Sequence, residues 1–144
     1  MKKVYQWILV AVCFFVVLCE GIEAPHFSIS HSGGVALCLV CATDEVGVDL
    51  EIIPRSDEKS DIHRKVARRR FSPREQEAIN SSPNPELEFL RIWCAHEAAG
   101  KYLGVGLLQG DFKETAAEHS LSLEEIRLVA DTEEYLLCLC TRVK

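Results

Sequence analysis

Val46-Gly47-Val48-Asp49-Leu50-Glu51-Ile52 reads as a strand with two different faces. Side chains alternate along a strand, so Val46, Val48, Leu50 and Ile52 share an apolar face. Gly47, Asp49, Glu51 and Ile53 take the other. Both carboxylates, Asp49 and Glu51, therefore leave the strand on one side. Held so close, they repel unless a cation lies between them. Hard oxygen donors suit Mg²⁺, which commonly takes one or two protein carboxylates together with substrate phosphates and water. The plain alternative is a half-buried strand with its acids facing solvent.

Upstream, Phe27, Ile29 and His31 alternate with Ser28, Ser30 and Ser32, again a strand pattern. Gly33-Gly34 turns the chain, and Val35 to Ala42 is a continuous apolar strand. His31 stands beside the glycine turn, where exposed backbone amides can help bind phosphate. It also reads as an ordinary strand-end residue. His63 and His119 read as surface residues.

Downstream, Pro54 to Ser60 is a polar break, and a helix is expected over Asp61 to Arg70. Ser72-Pro73-Arg74-Glu75 is a capping box with proline at the first helical position. Ser81 to Pro85 is a loop. A long helix is expected from Glu86 to Leu103, with Gly104 as its C-cap. Ser122 is read as capping a short helical stretch. Ile126–Ala130 and Tyr135–Thr141 then form a hairpin turning at Asp131-Thr132-Glu133-Glu134. The mixture defines an α+β class.

On the long helix, Phe89, Trp93, Glu97 and Lys101 follow one another at i,i+4 and form one row. Two bulky apolar members turn that row inward. Glu97 and Lys101 then sit at the edge of the core, where a charge needs a partner or a ligand. The plain alternative is an exposed i,i+4 ion pair worth about 0.2–0.5 kcal/mol.

The chain has 144 residues, 48% apolar and 26% charged, which is one domain's worth of ordinary globular sequence. That excludes wholesale disorder, collagen and multi-span membrane classes. Twenty-two acidic residues against sixteen basic ones give a net charge of −6, against a general nucleic-acid-coating role. Half of the basic residues fall between Arg55 and Arg74, a local patch that suits one anionic partner or a solvated helix face. Seven cysteines cannot all pair within one chain, and six of them lie in apolar runs, as free buried thiols do. Cys38 and Cys41 have CxxC spacing inside a strand, where positions three apart face opposite ways, so no zinc site is expected. A reduced, cytoplasmic protein fits this cysteine usage.

Residues 1–25 form a separate apolar segment, and 26–144 the domain proper. Lys2 and Lys3 precede an unbroken apolar run from Trp7 to Cys19. It is too short to span a membrane, which takes about 20 residues. Its length suits a signal peptide, but Leu18-Cys19-Glu20-Gly21 lacks a small-x-small cleavage pattern. A buried strand or helix is the preferred reading, with its β-branched and aromatic content leaning to strand.

Taken in order, Phe27-Ser28-Ile29-Ser30-His31-Ser32, Val46-Gly47-Val48-Asp49-Leu50-Glu51, Arg70-Phe71-Ser72-Pro73-Arg74-Glu75 and Trp93-Cys94-Ala95-His96-Glu97-Ala98-Ala99-Gly100-Lys101 resemble the 4′-phosphopantetheinyl transferase superfamily. The closer likeness is to the type that activates surfactin synthetase. Leu103-Gly104-Val105-Gly106-Leu107 resembles the family's glycine-bearing segment after the helix motif. The resemblance implies an antiparallel sheet packed against a long helix, one half of a pseudo-repeat. It implies transfer of phosphopantetheine from coenzyme A to a serine of an acyl or peptidyl carrier protein, as a holo-acyl-carrier-protein synthase does, with Mg²⁺ as cofactor. Asp49, Glu51 and Glu97 would hold the Mg²⁺. Lys101 would reach the diphosphate, and Glu97 would take the proton of the incoming serine. His31 would contact the coenzyme's 3′-phosphate, with Ser30 and Ser32 nearby. Glu75 matches an acidic position of the family as well as a capping box. The basic stretch from Arg64 to Arg70 would face an acidic carrier protein.

Two departures qualify the resemblance. The family usually has lysine immediately before the helix glutamate, and that lysine helps bind phosphate. Here it is His96, which implies a weaker grip on coenzyme A. Surfactin-type enzymes are also pseudo-dimers of two similar halves, whereas only about 25 residues precede the matching region here. The chain is therefore expected either to assemble as a homo-oligomer or to be a truncated relative that binds coenzyme A or a carrier protein without turnover.

Overall fold

A computed structural model describes residues 25–55, 61–130 and 132–143. The apolar run Trp7–Cys19, whether buried element or signal, lies outside the described residues. The elements are β1 (His26–Ser32), β2 (Val35–Cys41), β3 (Gly47–Ile52), α1 (Asp61–Arg70), α2 (Pro73–Ser81), α3 (Pro85–Leu103), α4 (Phe112–Glu118), β4 (Leu121–Ala130) and β5 (Glu133–Arg142). The α+β class and the sheet-on-long-helix packing are as expected.

β3, β5 and β4 form an antiparallel sheet in that order, and β1 and β2 form a separate hairpin. Partners share a face of the sheet, so Asp49 is level with Cys138, and Cys138 with Glu125. On that face α3 lays down Cys94, Ala95 and Ala98 against Leu136, Cys138 and Cys140. The opposite face carries Val48, Leu50, Tyr135 and Leu137, and the hairpin covers it with Val35, Leu37 and Leu39. β3 is therefore buried on both sides, unlike a strand with one wet face. Val48 and Leu50 are 0% and 1% exposed, and Asp49 only 5%. The acids face a helix rather than solvent.

Close approach of β3 to α3 depends on Gly47. A Cβ there would lie 1.9 Å from the Ala98 carbonyl oxygen and 2.9 Å from the Tyr102 amide nitrogen. The helix begins at an Asn84 cap, whose side chain accepts from the Leu87 amide. It ends at Gly104, which takes the left-handed conformation that glycine adopts without a Cβ penalty.

Two expectations need correction. Ser122 caps no helix: it lies in β4, opposite Thr141 of β5. The short helix falls earlier, capped by Asp111, whose carboxylate accepts from the amides of Lys113 and Glu114. Ten residues of antiparallel pairing with β5 outweigh a local capping pattern. His63 is half-buried rather than a plain surface residue. Its ring stacks on Phe89 at 4.2 Å and hydrogen-bonds Glu86. Among the described residues no helix is long and apolar enough to cross a membrane.

Candidate functional site

β3 and α3 together bring Asp49, Glu51, Glu97 and Lys101 to one edge of the core. Lys101 Nζ donates to Asp49 Oδ1 at 2.8 Å and to the Val48 carbonyl at 2.9 Å. It thus bonds to the strand rather than pairing along its own helix with Glu97. Trp93 Nε1, on the same helix row, donates to Glu51 Oε1 at 3.2 Å. Two side chains of the row, Trp93 and Lys101, thus meet groups on the strand opposite it.

The hairpin supplies the remaining contacts. Val48, Leu50 and Ile52 direct their amides away from β5 and towards the side chains of β1. Ser28, Ser30 and Ser32 of β1 accept these three N–H groups at 3.0, 3.1 and 3.0 Å. Ser30 and Ser32 also donate, to Asp49 Oδ1 at 2.9 Å and Glu51 Oε2 at 3.0 Å. Ser28 stands level with Gly47 and has no such carboxylate.

The electrostatics follow from this crowding. Burial, reinforced by the neighbouring Asp49, raises the Glu51 carboxyl above its ordinary value, against the bonds from Ser32 and Trp93. Burial and then Asp49 raise Glu97 too, against the pull of Lys101. Among the described residues, Asp49 Oδ2 is buried with no nitrogen or oxygen donor, and the Cys94 thiol lies beside the Asp49 carboxylate. Such an oxygen costs free energy unless something meets it. Among the described residues, no three His, Cys, Asp or Glu side chains converge closely enough to hold a metal as they stand. Lys101 is the cation that meets Asp49. Even so, a buried carboxylate oxygen with no nitrogen or oxygen donor, beside two further carboxylates with raised pKa values, is the donor chemistry a hard divalent cation takes.

His31 is exposed at the far end of β1, on the strand face opposite the serines. His96 is not brought to this group. It is fully buried, with Nε2 2.8 Å from Glu75 Oε1 and Nδ1 3.3 Å from the Leu108 carbonyl. Glu75 completes its capping box with Ser72 and also accepts from the Phe112 amide. Burial pushes its carboxyl up, but the bonds from His96, Phe112 and Ser72 prevail and hold it below the ordinary value. Arg64, Lys65, Arg68, Arg69 and Arg70 of α1 are exposed. Sequence reasoning missed the bonding of the serines and of Trp93. The Ser-x-Ser-x-Ser alternation was their signal, since three hydroxyls on one face of a strand need acceptors and donors opposite.

Residues 45–140 match the family model of the 4′-phosphopantetheinyl transferase superfamily. The chain belongs to that superfamily. It is 40% identical over 84 residues to the 4′-phosphopantetheinyl transferase HetI of Nostoc sp. strain PCC 7120, covering 56% of this chain and 33% of HetI. It is 32% identical over 91 residues to slr0495 of Synechocystis sp. strain PCC 6803, provisionally named as the same kind of enzyme, covering 61% of this chain and 35% of that protein. The match thus spans about a third of the length of these curated relatives.

Proposed function

We propose that this chain transfers 4′-phosphopantetheine from coenzyme A to a serine hydroxyl of an acyl or peptidyl carrier protein, with Mg²⁺ bound among Asp49, Glu51 and Glu97. The observation that carries the reading is the buried Oδ2 of Asp49, without a nitrogen or oxygen donor, beside Glu51 and Glu97. Bound there, Mg²⁺ would neutralise diphosphate charge, the main requirement of phosphoryl transfer. The serine oxygen forms a new bond to the phosphorus that carries pantetheine. The bond from that phosphorus to the bridging oxygen breaks, and 3′,5′-ADP leaves with the electron pair. Glu97 receives the serine proton, a role helped by a carboxyl raised towards working pH. Lys101 offers the diphosphate a point charge from the same helix row. His31 meets the 3′-phosphate from its exposed position, and the basic face of α1 receives an acidic carrier protein. The site works as part of a larger assembly, a second copy of the chain included, in a cytoplasm that supplies coenzyme A and carrier.

The test is a transfer assay read by intact mass. Purified chain is mixed with coenzyme A, Mg²⁺ and a panel of apo carrier proteins. A carrier gains the phosphopantetheine arm with the parent chain and not with Glu97→Ala. The burial of His96, where the family usually has a phosphate-binding lysine, favours a second reading, a binding module without turnover. Coenzyme A binding without transfer to any carrier would select it.

A further inference from the structure

We propose that Ser30 and Ser32 are positioning residues, whose hydroxyls orient Asp49 and Glu51 for a divalent cation rather than binding phosphate themselves. The inference rests on the reading of those carboxylates as cation-holding groups. A serine hydroxyl has one hydrogen to donate and can accept through its lone pairs. In Ser30 the hydrogen goes to Asp49 Oδ1 at 2.9 Å while the Leu50 amide donates to the oxygen at 3.1 Å. In Ser32 the hydrogen goes to Glu51 Oε2 at 3.0 Å while the Ile52 amide donates at 3.0 Å. Both hydroxyls are thereby committed, one donation each.

Orientation follows from which oxygens are taken. Asp49 Oδ1 receives both Ser30 and Lys101, which fixes the plane of the carboxylate and leaves Oδ2 as the oxygen without a nitrogen or oxygen donor. Glu51 is held at both ends, by Trp93 at Oε1 and Ser32 at Oε2. Groups that hydrogen-bond to metal-holding carboxylates fix their direction and contribute to cation affinity.

The ladder contains its own control. Ser28 makes the same bond to a β3 amide, 3.0 Å from Val48 N, but faces Gly47 and so has no carboxylate to direct. Removing any of the three hydroxyls leaves one β3 amide without its acceptor. Removing Ser30 or Ser32 also takes away one of the two side-chain donors that orient a carboxylate.

The full chain is titrated with Mn²⁺, read by loss of the free-ion paramagnetic resonance signal, alongside thermal unfolding. Ser30→Ala and Ser32→Ala should weaken Mn²⁺ binding about tenfold or more. Ser28→Ala should lose comparable thermal stability yet change binding by less than about twofold, being outside the shell that touches the carboxylates. Ser30→Thr and Ser32→Thr, which keep the hydroxyl, should restore it. Equal weakening in Ser28→Ala, or parent-like binding in Ser30→Ala, overturns the proposal. Should Ser30→Ala not fold, Ser30→Cys keeps the volume with a weaker donor and must show the same weakening. If the parent chain takes up no Mn²⁺, the cation reading fails by itself. The carboxyl ¹³C resonances then decide the orienting role. Ser30→Ala must move Asp49 alone, Ser32→Ala Glu51 alone and Ser28→Ala neither, and any other pattern overturns it.

Discussion

Glu75 Oε1 lies 2.8 Å from His96 Nε2, and both side chains are buried, at 3% and 0% exposure. This pair ties α2 to α3, and through the Phe112 amide it also ties both to α4. The capping carboxylate of one helix thus serves as the polar anchor of three. His96 is packed between Phe71 and Phe112, with ring centroids 5.1 and 5.8 Å away. The residue that breaks the family's usual lysine pattern is a core residue in this chain.

Glu75 should dominate acid sensitivity. Its folded pKa is depressed, so its stabilisation is fully present above the ordinary glutamate value of about 4.3. It is lost as pH falls through the depressed value, because the unfolded chain binds the proton first. Urea unfolding of the parent chain from pH 7 to pH 3 should show this acid loss, and Glu75→Gln should flatten it.

His96→Leu should cost about 3 kcal/mol at pH 7, the lower end for breaking a buried pair, since two backbone amides still serve Glu75. Urea denaturation measures it. If His96 acts only in the core, coenzyme A affinity of the folded fraction stays at the parent value.

Periodicity made much of this fold legible. The apolar face of β3, the i,i+4 row of α3, the Ser72–Glu75 box and the Gly104 cap all follow from local pattern, and each stands where its pattern put it. The strand–helix juxtaposition of Asp49 and Lys101 was legible only through the family resemblance, because 52 residues separate them and no local spacing records the contact. His96 was misleading for the same reason. Nothing adjacent in sequence says that Glu75, 21 residues earlier, waits in the core. Ser122 shows the converse, a local capping pattern overridden by pairing with Thr141.

Lys101→Met removes the ammonium that bonds Asp49 and Val48. Lys101 is largely buried and Asp49 almost wholly so, and losing the ammonium leaves that carboxylate short of its cation, so the variant should also be less stable. The effect on transfer should be large, a fall in kcat/KM of about 10² if Lys101 supports charge on the diphosphate. Lys101→Arg should recover little, because a planar guanidinium does not reproduce a compact point charge. Steady-state kinetics with varied coenzyme A checks both variants.

Gly47→Ala should separate β3 from α3. The new Cβ meets the Ala98 carbonyl at 1.9 Å, and backbone cannot swing aside as a flexible side chain can. Overpacking of this kind costs about 1–3 kcal/mol or more. The displacement also withdraws Asp49 from Lys101, so chemical denaturation and Mn²⁺ titration should both register the change.

Glu97→Gln should make the protein more stable and less active. Burial and the nearby Asp49 raise the folded pKa of Glu97 above its unfolded value. Stability is then lost as pH rises from the ordinary glutamate range through the raised value, because the folded state must give up a proton that it binds more tightly. Above that window the ionised carboxylate is a standing cost of the native state, and a glutamine of nearly the same shape removes it. The thermal midpoint of Glu97→Gln should therefore exceed that of the parent at pH 8, and the gap should narrow towards pH 4. On the proposed reading of Glu97 as proton acceptor and Mg²⁺ holder, transfer should vanish over the same range, since the amide can do neither. A site that weakens the fold for the sake of its chemistry predicts this pairing of gain and loss. An ordinary surface glutamate would show neither.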